Sequence, residues 1–283
     1  MIISKSNLLQ IDIETRLIER IKNSKLQETL IVVPTNRKAR NYKRQIVASC
    51  NSGVSTKIYL ETLTTFTQKI LEPSLNFHLM SDAAASVLIK QSIDDVVLKY
   101  FNIYKSKVPY GTLDRIKNVI SKLKEHGISA SEIKSEAIKS LSGSNIDKAN
   151  DLANIYSVYK SKCRRMKYFE IGDVYEEVLF LEDNKFESNF NKIFKGITEV
   201  FILGFDEFTV PEGKIINRIA NLNNVEVFID FDYYDYNDLI FKHLDSCKTM
   251  FLSMGFSEID DISITAKNDF KDSIRKYLFK GKK

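Results

Sequence analysis

Short apolar runs, each followed by a stretch of helical periodicity, dominate the hydrophobic pattern of this chain. The clearest runs are residues 29–33 (TLIVV), 200–203 (VFIL) and 225–230 (VEVFID). Pro34 stops the first run and Gly204 ends the second. Weaker runs lie at 57–60 (KIYL) and 1–3 (MII). Buried runs separated by helices are typical of parallel strands covered on both faces, so we predict a sheet of that kind.

Helical periodicity fills the intervals between these runs. Residues 11–21 place apolar side chains on one helical face, 37–48 form a strongly basic helix, and 64–71 form a shorter one. From Ser81 onwards, strand signals vanish until the run at 200. Ser81 with Asp82 is a typical N-cap pair. The helices predicted after it occupy 83–101, 112–127 (closed by Gly127), 129–141, 147–169 and 237–255 (closed by Gly255).

The composition allows a sizeable core and argues against several classes of protein. The chain has 283 residues, 43% of them hydrophobic, and 42 Lys and Arg against 37 Asp and Glu, a net charge of +5. This mild excess permits an anionic partner without requiring one. The three cysteines and three histidines are scattered, so we expect neither a disulfide framework nor a zinc site. Without a membrane-spanning run or a signal peptide, we expect a cytoplasmic protein with no membrane partner.

Three segments resemble conserved parts of UvrD-type superfamily-one helicases. Residues 29–43 (TLIVVPTNRKARNYK) are similar to a block in which a buried strand enters a polar turn and then a helix, and Lys38-Ala39 matches its Lys-Ala. Residues 58–71 (IYLETLTTFTQKIL) resemble the next block, with Thr65-Phe66 at its Thr-Phe position. Residues 168–179 (YFEIGDVYEEVL) are similar to the stretch that precedes the Walker B strand in those helicases.

Residues 199–219 (EVFILGFDEFTVPEGKIINRI) match more closely the inactivated helicase half of AddB-type helicase–nuclease subunits. That half carries a strand, Gly-Phe, two variable residues, an aromatic residue or Leu, then Thr and Glu. The residues that fit this pattern are Gly204, Phe205, Phe208, Thr209 and Glu212. Residues 152–179 and the last predicted helix continue the resemblance, which therefore covers nearly the whole chain.

This resemblance implies an α/β fold with a RecA-like (P-loop-NTPase-like) parallel sheet and an all-helical insertion. We predict the first part of the sheet domain at 1–74, the insertion at 75–165 and the second part at 166–283; two side-by-side domains would give the same order of elements. AddB-type chains are longer and end in a PD-(D/E)xK nuclease domain, which does not fit within 283 residues. The chain resembles the N-terminal piece of a larger protein, or a stand-alone remnant.

The phosphate-binding loop that begins such helicases has no good counterpart here. That loop follows the first strand, is rich in glycine and ends in Lys-Thr. The corresponding stretch of this chain has no glycine before Gly53, and Lys5-Ser6 is a faint echo of the Lys-Thr pair. Without glycines the backbone cannot approach a phosphate closely. We therefore expect no ATPase activity and no bound cofactor.

Acidic residues after two of the predicted strands raise metal-dependent alternatives. Asp206-Glu207 resembles a Walker B pair, in which Asp holds Mg²⁺ and Glu orients water; in the absence of a phosphate loop we interpret it as a degenerate pair on a surface turn. A second acidic cluster comprises Asp230, Asp232, Asp235 and Asp238. Such carboxylates bind a divalent metal in nucleases, or form a solvated rim. No Glu-x-Lys accompanies them, so we predict no metal site.

The densest cationic cluster follows the first buried run and comprises Arg37, Lys38, Arg40, Lys43 and Arg44. On a helix, residues 37, 40 and 44 share one face. The cluster falls where the similar helicases contact single-stranded DNA. The predicted DNA-binding residues are Thr35, Asn36, Arg37, Lys38, Arg40, Arg44, Thr65 and Phe66. The alternatives are a solvated helix face and, for Phe66, a buried ring; Arg164-Arg165 is a weaker second basic spot.

The resemblance implies a non-catalytic helicase-like domain that scaffolds a helicase–nuclease and guides single-stranded DNA in double-strand break repair. Its partners would be single-stranded DNA and an AddA-like ATPase subunit. Two alternatives belong to other classes. One is a metal-dependent nuclease that uses the cluster from Asp230 to Asp238, and the other is a structural module that docks on a protein.

Overall fold

The computed structural model describes residues 1–6, 8–23, 25–49, 58–104, 108–231 and 241–261. The strands in this part of the chain are β1 Ile2–Ser4, β2 Gln10–Ile11, β3 Thr29–Val33, β4 Tyr59–Thr62, β5 His78–Leu79, β6 Tyr168–Phe169, β7 Glu199–Phe205, β8 Glu226–Phe231 and β9 Ser257–Asp261. Its α-helices are α1 Ile13–Lys22, α2 Asn36–Ser49, α3 Leu63–Leu71, α4 Asp82–Asp94, α5 Tyr110–Glu125, α6 Ala130–Ser140, α7 Ser144–Met166, α8 Ile171–Phe180, α9 Asp183–Ile193, α10 Val210–Ala220 and α11 Asp245–Ser253. Short 3₁₀ helices lie at Leu26–Glu28, Phe101–Tyr104 and Lys242–Leu244.

The chain divides into two compact units, which we name the α/β unit and the helical unit. The α/β unit comprises Met1–Ile70 and Glu182–Lys283, and the helical unit comprises Leu71–Leu181. The predicted α/β class, with a mostly parallel central sheet and many helices, is confirmed. The predicted limits at 74/75 and 165/166 differ from those of the units. They stay a prediction, as does the finer RecA-like assignment.

The sheet of the α/β unit has seven strands in the order β2-β9-β1-β8-β7-β3-β4. The neighbours β8, β7, β3 and β4 are parallel, and β2 is parallel to β9. β1 is antiparallel to both of its neighbours, β8 and β9, and so runs against every other strand of this sheet. The sheet is therefore mostly parallel, as predicted, with β1 as its one antiparallel strand within the described residues. The direction of a strand cannot be inferred from an apolar run buried on both faces, because a parallel and an antiparallel strand bury the same residues.

Alternate residues of the central strands are buried on opposite faces of this sheet. On one face, Ile31, Phe201 and Phe228 pack with apolar residues of α1 and α2. The rings of Phe201 and Phe228 stack with 5.5 Å between their centroids. Leu30 and Val32 are fully buried, and the period of two places them on the opposite face. Burial on both faces explains why β3 coincides with the apolar run predicted at 29–33.

Local signals located several element ends, but α4 ends at Asp94, well before the predicted residue 101. The side chain of Ser81 caps α4 by accepting a hydrogen bond from the Ala84 amide, as predicted. Gly127 and Gly255 follow α5 and α11 with φ of +73° and +87°, a region that suits glycine. β4 begins at Tyr59, later than predicted, and residues 237–240 of the last predicted helix lie outside the described residues. The sequence does not predict β2, β5, β6 or β9, because two-residue strands and the charged SEIDD lack an apolar run.

The helical unit has its own apolar core, built largely from α4, α5 and α7. The core residues are Ala85, Leu88, Ile89, Ile93, Phe101, Ile116, Ile120, Ile155, Tyr156, Tyr159 and Cys163. Burial raises the pKa of the Cys163 thiol to about 11, so this cysteine is protonated at neutral pH and acts as a packing residue. In the same unit, β5 and β6 form a separate two-stranded parallel ribbon.

A buried ionic cluster joins α5 to the start of α8 within the helical unit. The Lys124 side chain is 2% exposed, and its ammonium donates to Glu170 Oε2 at 2.6 Å and to Asp173. The ammonium also lies 4.9 Å from the centre of the Tyr159 ring. Burial lowers the pKa of Lys124, but the two carboxylates outweigh burial and the net shift is upward. The backbone of Gly172 lies so close that an added Cβ would be 2.4 Å from the Lys124 carbonyl carbon.

Candidate nucleic-acid interface

The first turn of α2 follows β3 directly and carries several of the predicted DNA-binding residues. Thr35 caps this helix: its Oγ1 accepts from the Lys38 amide at 3.2 Å, and its carbonyl accepts from the Ala39 amide at 2.9 Å. The amides of Asn36 and Arg37 have no protein partner among the residues that the structure describes. Unpaired N–H groups at the positive end of a 14-residue helix favour an anion.

One face of α2 carries a row of guanidinium groups without counter-charges. Arg37, Arg40 and Arg44 are exposed on this face, and none forms an ion pair within the described ranges. They line an open cleft of about 620 Å³ together with Thr35, Lys38 and Asn41. Elsewhere, the arginines paired with carboxylates include Arg16, Arg20, Arg164 and Arg218. The cleft is therefore a concentrated and unneutralised positive surface. Lys43 is exposed on the same helix, outside the cleft.

Lys38, the fourth predicted cation of the cleft, has a protein partner. Its ammonium donates a hydrogen bond to the carbonyl of Gly204, beside the irregularity in the β7–β8 pairing. Gly204 has a φ of +70°, and a Cβ added there would lie 3.0 Å from Lys38 Nζ. Lys38 thus ties the start of α2 to the end of β7, and the three arginines are the cations left for a ligand.

Gly204→Ala is expected to lower the free energy of unfolding by about 2 kcal/mol, from left-handed backbone strain and crowding of Lys38. Chemical denaturation followed by circular dichroism measures this loss. Gly196→Ala is a matched control, because Gly196 has a φ of +81° and nothing within 4 Å of an added Cβ. Strain alone should cost that variant about 1 kcal/mol. Equal losses in the two variants would show that crowding of Lys38 adds nothing to the backbone strain.

The predicted base stacking by Phe66 is corrected by its burial. The ring is 0% exposed and packs 5.3 Å from the Phe194 ring and 6.3 Å from the Phe190 ring. It therefore offers no face to a base, and the alternative of a buried phenylalanine is the one that the structure supports. Thr65 is half-buried at the start of α3, where its Oγ1 accepts from the Thr62 amide at 2.9 Å. Both residues contribute to the fold of α3.

Asp206 and Glu207 are exposed on the turn that follows β7. Phe205 and Phe208 flank the pair, are both buried, and stack with 4.7 Å between their ring centroids. The Cys247 thiol donates to the Phe208 carbonyl at 3.4 Å and holds the far end of the turn. The acidic pair thus lies on the solvent side of a turn whose conformation two aromatic anchors determine.

The reversed direction of β1 separates Lys5-Ser6 from Asp206-Glu207, the two pairs that resemble parts of a nucleotide site in the sequence. In its pairing with β8, Ile2 lies opposite Asp230 and Ser4 lies opposite Phe228. The chain therefore leaves β1 at the edge of the sheet where β7 and β8 begin. Asp206-Glu207 follows the end of β7, at the opposite edge. A phosphate loop and a Walker B pair must flank one nucleotide at the carboxyl ends of parallel strands.

Lys5, the faint echo of a phosphate-loop lysine, has partners at the edge where β7 and β8 begin. Its ammonium donates to Asn221 Oδ1 at 2.7 Å and lies 5.3 Å from the centre of the Phe256 ring. Asn221 ends α10, just before β8 begins. In this arrangement Lys5 and Asp206-Glu207 lie at opposite edges of the sheet.

Only part of the acidic cluster that a nuclease would use lies within the described residues. Asp230 lies on β8, whereas Asp232, Asp235 and Asp238 lie outside the described residues. Within the described part of the chain, no three His, Cys, Asp or Glu side chains form a group able to hold a metal ion. Among the described helices, none is long and apolar enough to cross a membrane.

A model of the protein family described as "ADDB, N-terminal" matches residues 4–250. The chain belongs to this family. No curated protein matches the chain. Membership of the AddB N-terminal family indicates an AddB-type subunit in DNA repair, and implies a complex with an AddA-type partner and DNA. The match includes the whole helical unit and most of the α/β unit.

The AddB-like pattern that begins at Gly204 has a structural explanation in this member of the family. Gly204 supplies the positive φ, and the two phenylalanines anchor the turn. Thr209 and Glu212 then form a capping box: the Thr209 amide donates to Glu212 Oε2 at 2.8 Å, and the Glu212 amide donates to Thr209 Oγ1 at 3.4 Å. Every residue of the pattern thus has a role in this strand–turn–helix of the AddB N-terminal fold.

Two residues of the interface are absent from the sequence prediction. Asn41 lines the cleft one helical turn after Arg37, a position that the helical period could have indicated. Gly204 contributes its carbonyl to Lys38, and no local signal connects these two residues because they lie on separate elements.

Proposed function

We propose that this chain is a non-catalytic, helicase-like part of an AddB-type subunit that guides single-stranded DNA in double-strand break repair. In this proposal the AddA-type partner supplies the ATPase activity, and this chain supplies a DNA track and a protein scaffold. The observation that carries the proposal is the row of Arg37, Arg40 and Arg44, which lack counter-charges in the described structure.

The chemistry of this face suits a phosphate backbone. Guanidinium groups bind phosphate oxygens through paired N–H donors. The unpaired amides of Asn36 and Arg37 add donors at a helix N-terminus, where the backbone dipole favours negative charge. Contacts to phosphates position a strand without reading its bases. A surface that only holds the backbone lets the strand move past it, as a guide requires.

We also propose that this chain lacks ATPase activity, because the side chains that resemble parts of a nucleotide site lie at opposite edges of the sheet. Lys5 is engaged by Asn221 and Phe256 at the edge where β8 begins, and Asp206-Glu207 lies at the other edge. Hydrolysis of a nucleotide needs phosphate-binding and metal-binding groups at the same edge of the sheet, and these residues do not provide both at one edge.

The Arg37→Ala/Arg40→Ala/Arg44→Ala variant is expected to bind single-stranded DNA about 10- to 100-fold more weakly at low salt. The slope of log affinity against log salt should become shallower by about 2, since each lost phosphate contact on a single strand removes roughly 0.7. Fluorescence anisotropy of a labelled oligonucleotide across a salt series measures both quantities. Lys38 stays unchanged, because its contact with Gly204 belongs to the fold.

A charge-matched control is the Lys185→Ala/Lys192→Ala/Lys195→Ala variant, which removes three exposed cations from another surface of the α/β unit. It should retain the parent's salt slope and bind within about threefold of the parent, as expected for changes far from the strand. Equal losses in both triple variants would overturn the assignment to α2. No binding by the parent at low salt would leave a protein-docking module as the better function.

A further inference from the structure

The β5–β6 ribbon of the helical unit holds two aromatic rings in fixed positions. His78 lies opposite Tyr168 in the parallel pairing. Backbone hydrogen bonds of 2.8 Å hold the ribbon from both ends: the His78 amide donates to the Lys167 carbonyl, and the Met80 amide donates to the Phe169 carbonyl. A ligand that contacts these rings would not have to order the backbone first, and that reduces the entropic cost of binding.

The aromatic residues of the ribbon differ in their exposure. The Phe169 side chain is buried and stacks on Phe77, with 5.6 Å between ring centroids and 20° between ring planes. His78 and Tyr168, by contrast, are exposed, with Tyr168 at 37%, and their rings lie 5.2 Å apart with 36° between the ring planes. Successive residues of a strand alternate between faces. Phe169 thus anchors the ribbon, while the preceding residue and its partner present their rings to solvent.

Free cations accompany the exposed rings. Arg165 and Lys167 lie within the same exposed stretch as Tyr168, and neither forms an ion pair with a described residue. The preceding cations of α7 differ, since Lys160, Lys162 and Arg164 each pair with a carboxylate. Lys167 ends α7 with a φ of +56°, a position that glycine usually occupies. The lysine therefore places a positive charge directly before Tyr168 in the chain.

We propose that the β5–β6 ribbon is a binding site for single-stranded nucleic acid, with a base stacked on the His78–Tyr168 rings and phosphates bound by Arg165 and Lys167. Flat rings beside unpaired cations match the alternation of bases and phosphates along a single strand. A duplex keeps its base faces within the stack, so the ribbon selects single strands. The choice of DNA as the ligand rests on the proposed function, which the ribbon extends to the helical unit.

A single fluorescent reporter tests the stacking directly. The chain contains no tryptophan, so Tyr168→Trp places the only one at the ribbon. Titration with a thymidine oligonucleotide should quench its emission with the same midpoint as the anisotropy of a labelled strand, because a stacked base contacts the indole. Tyr110→Trp is the matched control, at a tyrosine of the same unit that is 73% exposed, and should show no quenching. Absent quenching, or equal quenching in both variants at saturating DNA, would overturn the proposal.

The DNA affinities of two Tyr168 variants distinguish base stacking on the ring from a contribution of the hydroxyl group. Tyr168→Ala should weaken binding about 5- to 150-fold, the range for one stacked base. Tyr168→Phe retains the ring and should bind within about twofold of the parent. A full loss in Tyr168→Phe would contradict stacking, as would equally tight binding of a blunt duplex.

The two sets of variants distinguish a failure of the ribbon proposal from a failure of the DNA-guiding function proposed for α2. If the triple-arginine variant loses affinity and Tyr168→Ala does not, the ribbon proposal is wrong and the α2 track stands. If only Tyr168→Ala loses affinity, the ribbon binds the strand and the α2 track is wrong. A parent chain that binds no single-stranded DNA at low salt contradicts both.

Discussion

Lys124→Ala is expected to lose about 3–5 kcal/mol of its free energy of unfolding, the range for breaking a buried ion pair. The Glu170 and Asp173 side chains are 14% and 3% exposed, and the change removes the ammonium that both of them contact. Two neighbouring buried carboxylates then repel each other, and the cavity left by the lysine stem adds to the loss. Because the folded pKa of Lys124 is raised, its contribution is fully present below 10.5 and is lost as pH rises through the folded pKa.

Urea denaturation at neutral pH, followed by circular dichroism, measures this loss. Lys122→Ala is the matched control, since Lys122 is exposed on the same helix. Its substitution should change the free energy of unfolding by no more than about 0.5 kcal/mol. Similar values for the two variants would mean that the cluster of Lys124, Glu170 and Asp173 does not stabilise the helical unit.

Glu199→Ala is expected to cost about 3 kcal/mol, at the lower end of the range for a broken buried pair. The Glu199 side chain is 2% exposed at the start of β7, and it accepts hydrogen bonds of 2.9 Å from the Nε atoms of Arg16 and Arg20. Its removal leaves two neighbouring guanidinium groups, which keep their contacts to Glu226 and Glu28. Both arginines are partly exposed, and water therefore offsets part of the loss.

The loss at Glu199 should depend on pH. Burial raises the pKa of Glu199, but the hydrogen bonds from Arg20 and Arg16 outweigh it, and the net shift is below 4.5. A lowered carboxyl pKa gives stability that is present above 4.5 and is lost as pH falls through the folded pKa. The difference in unfolding free energy between the parent and Glu199→Ala should therefore be largest near neutral pH and narrow in acid.

Denaturation series at neutral pH and below the pKa of free glutamate test this pH dependence. Glu226→Ala is the control, because that side chain is 45% exposed and contacts Arg16 at 3.2 Å. The exposed pair should contribute no more than about 1 kcal/mol. A difference between parent and Glu199→Ala that stays constant with pH would contradict a charged Glu199 in the folded state.

Glu199 also bears on the candidate DNA surface, because it belongs to the strand that positions this surface. β7 begins at Glu199, which Arg16 and Arg20 of α1 bind, and Lys38 of α2 binds the carbonyl of Gly204 near the end of the strand. The two ends of one buried strand are therefore connected by side chains to the two helices on one face of the sheet. This arrangement holds the first turn of α2, and with it the cationic face, in a fixed position.

The sequence by itself determined the features that depend on neighbouring residues. The run at 29–33 became β3 because five consecutive apolar or β-branched residues are buried wherever they meet a sheet. Ser81 became an N-cap because its hydroxyl bonds an amide three residues later. The pattern from Gly204 to Glu212 was recognisable because a strand end, a turn and a capping box are all local. The cationic face of α2 followed from the helical period alone.

Only the tertiary structure decided the features that join distant parts of the chain. Burial on both faces is the same in either direction, so the antiparallel β1, and with it the placement of Lys5 away from Asp206-Glu207, came from strand pairing. The aromatic cluster around Phe66 depends on α9, and the contact of Lys38 depends on the end of β7. The exposed pair of His78 and Tyr168 forms because two short strands, far apart in the sequence of the helical unit, pair with each other. Periodicity and capping act over a few residues, whereas such contacts depend on which surfaces meet when the chain folds.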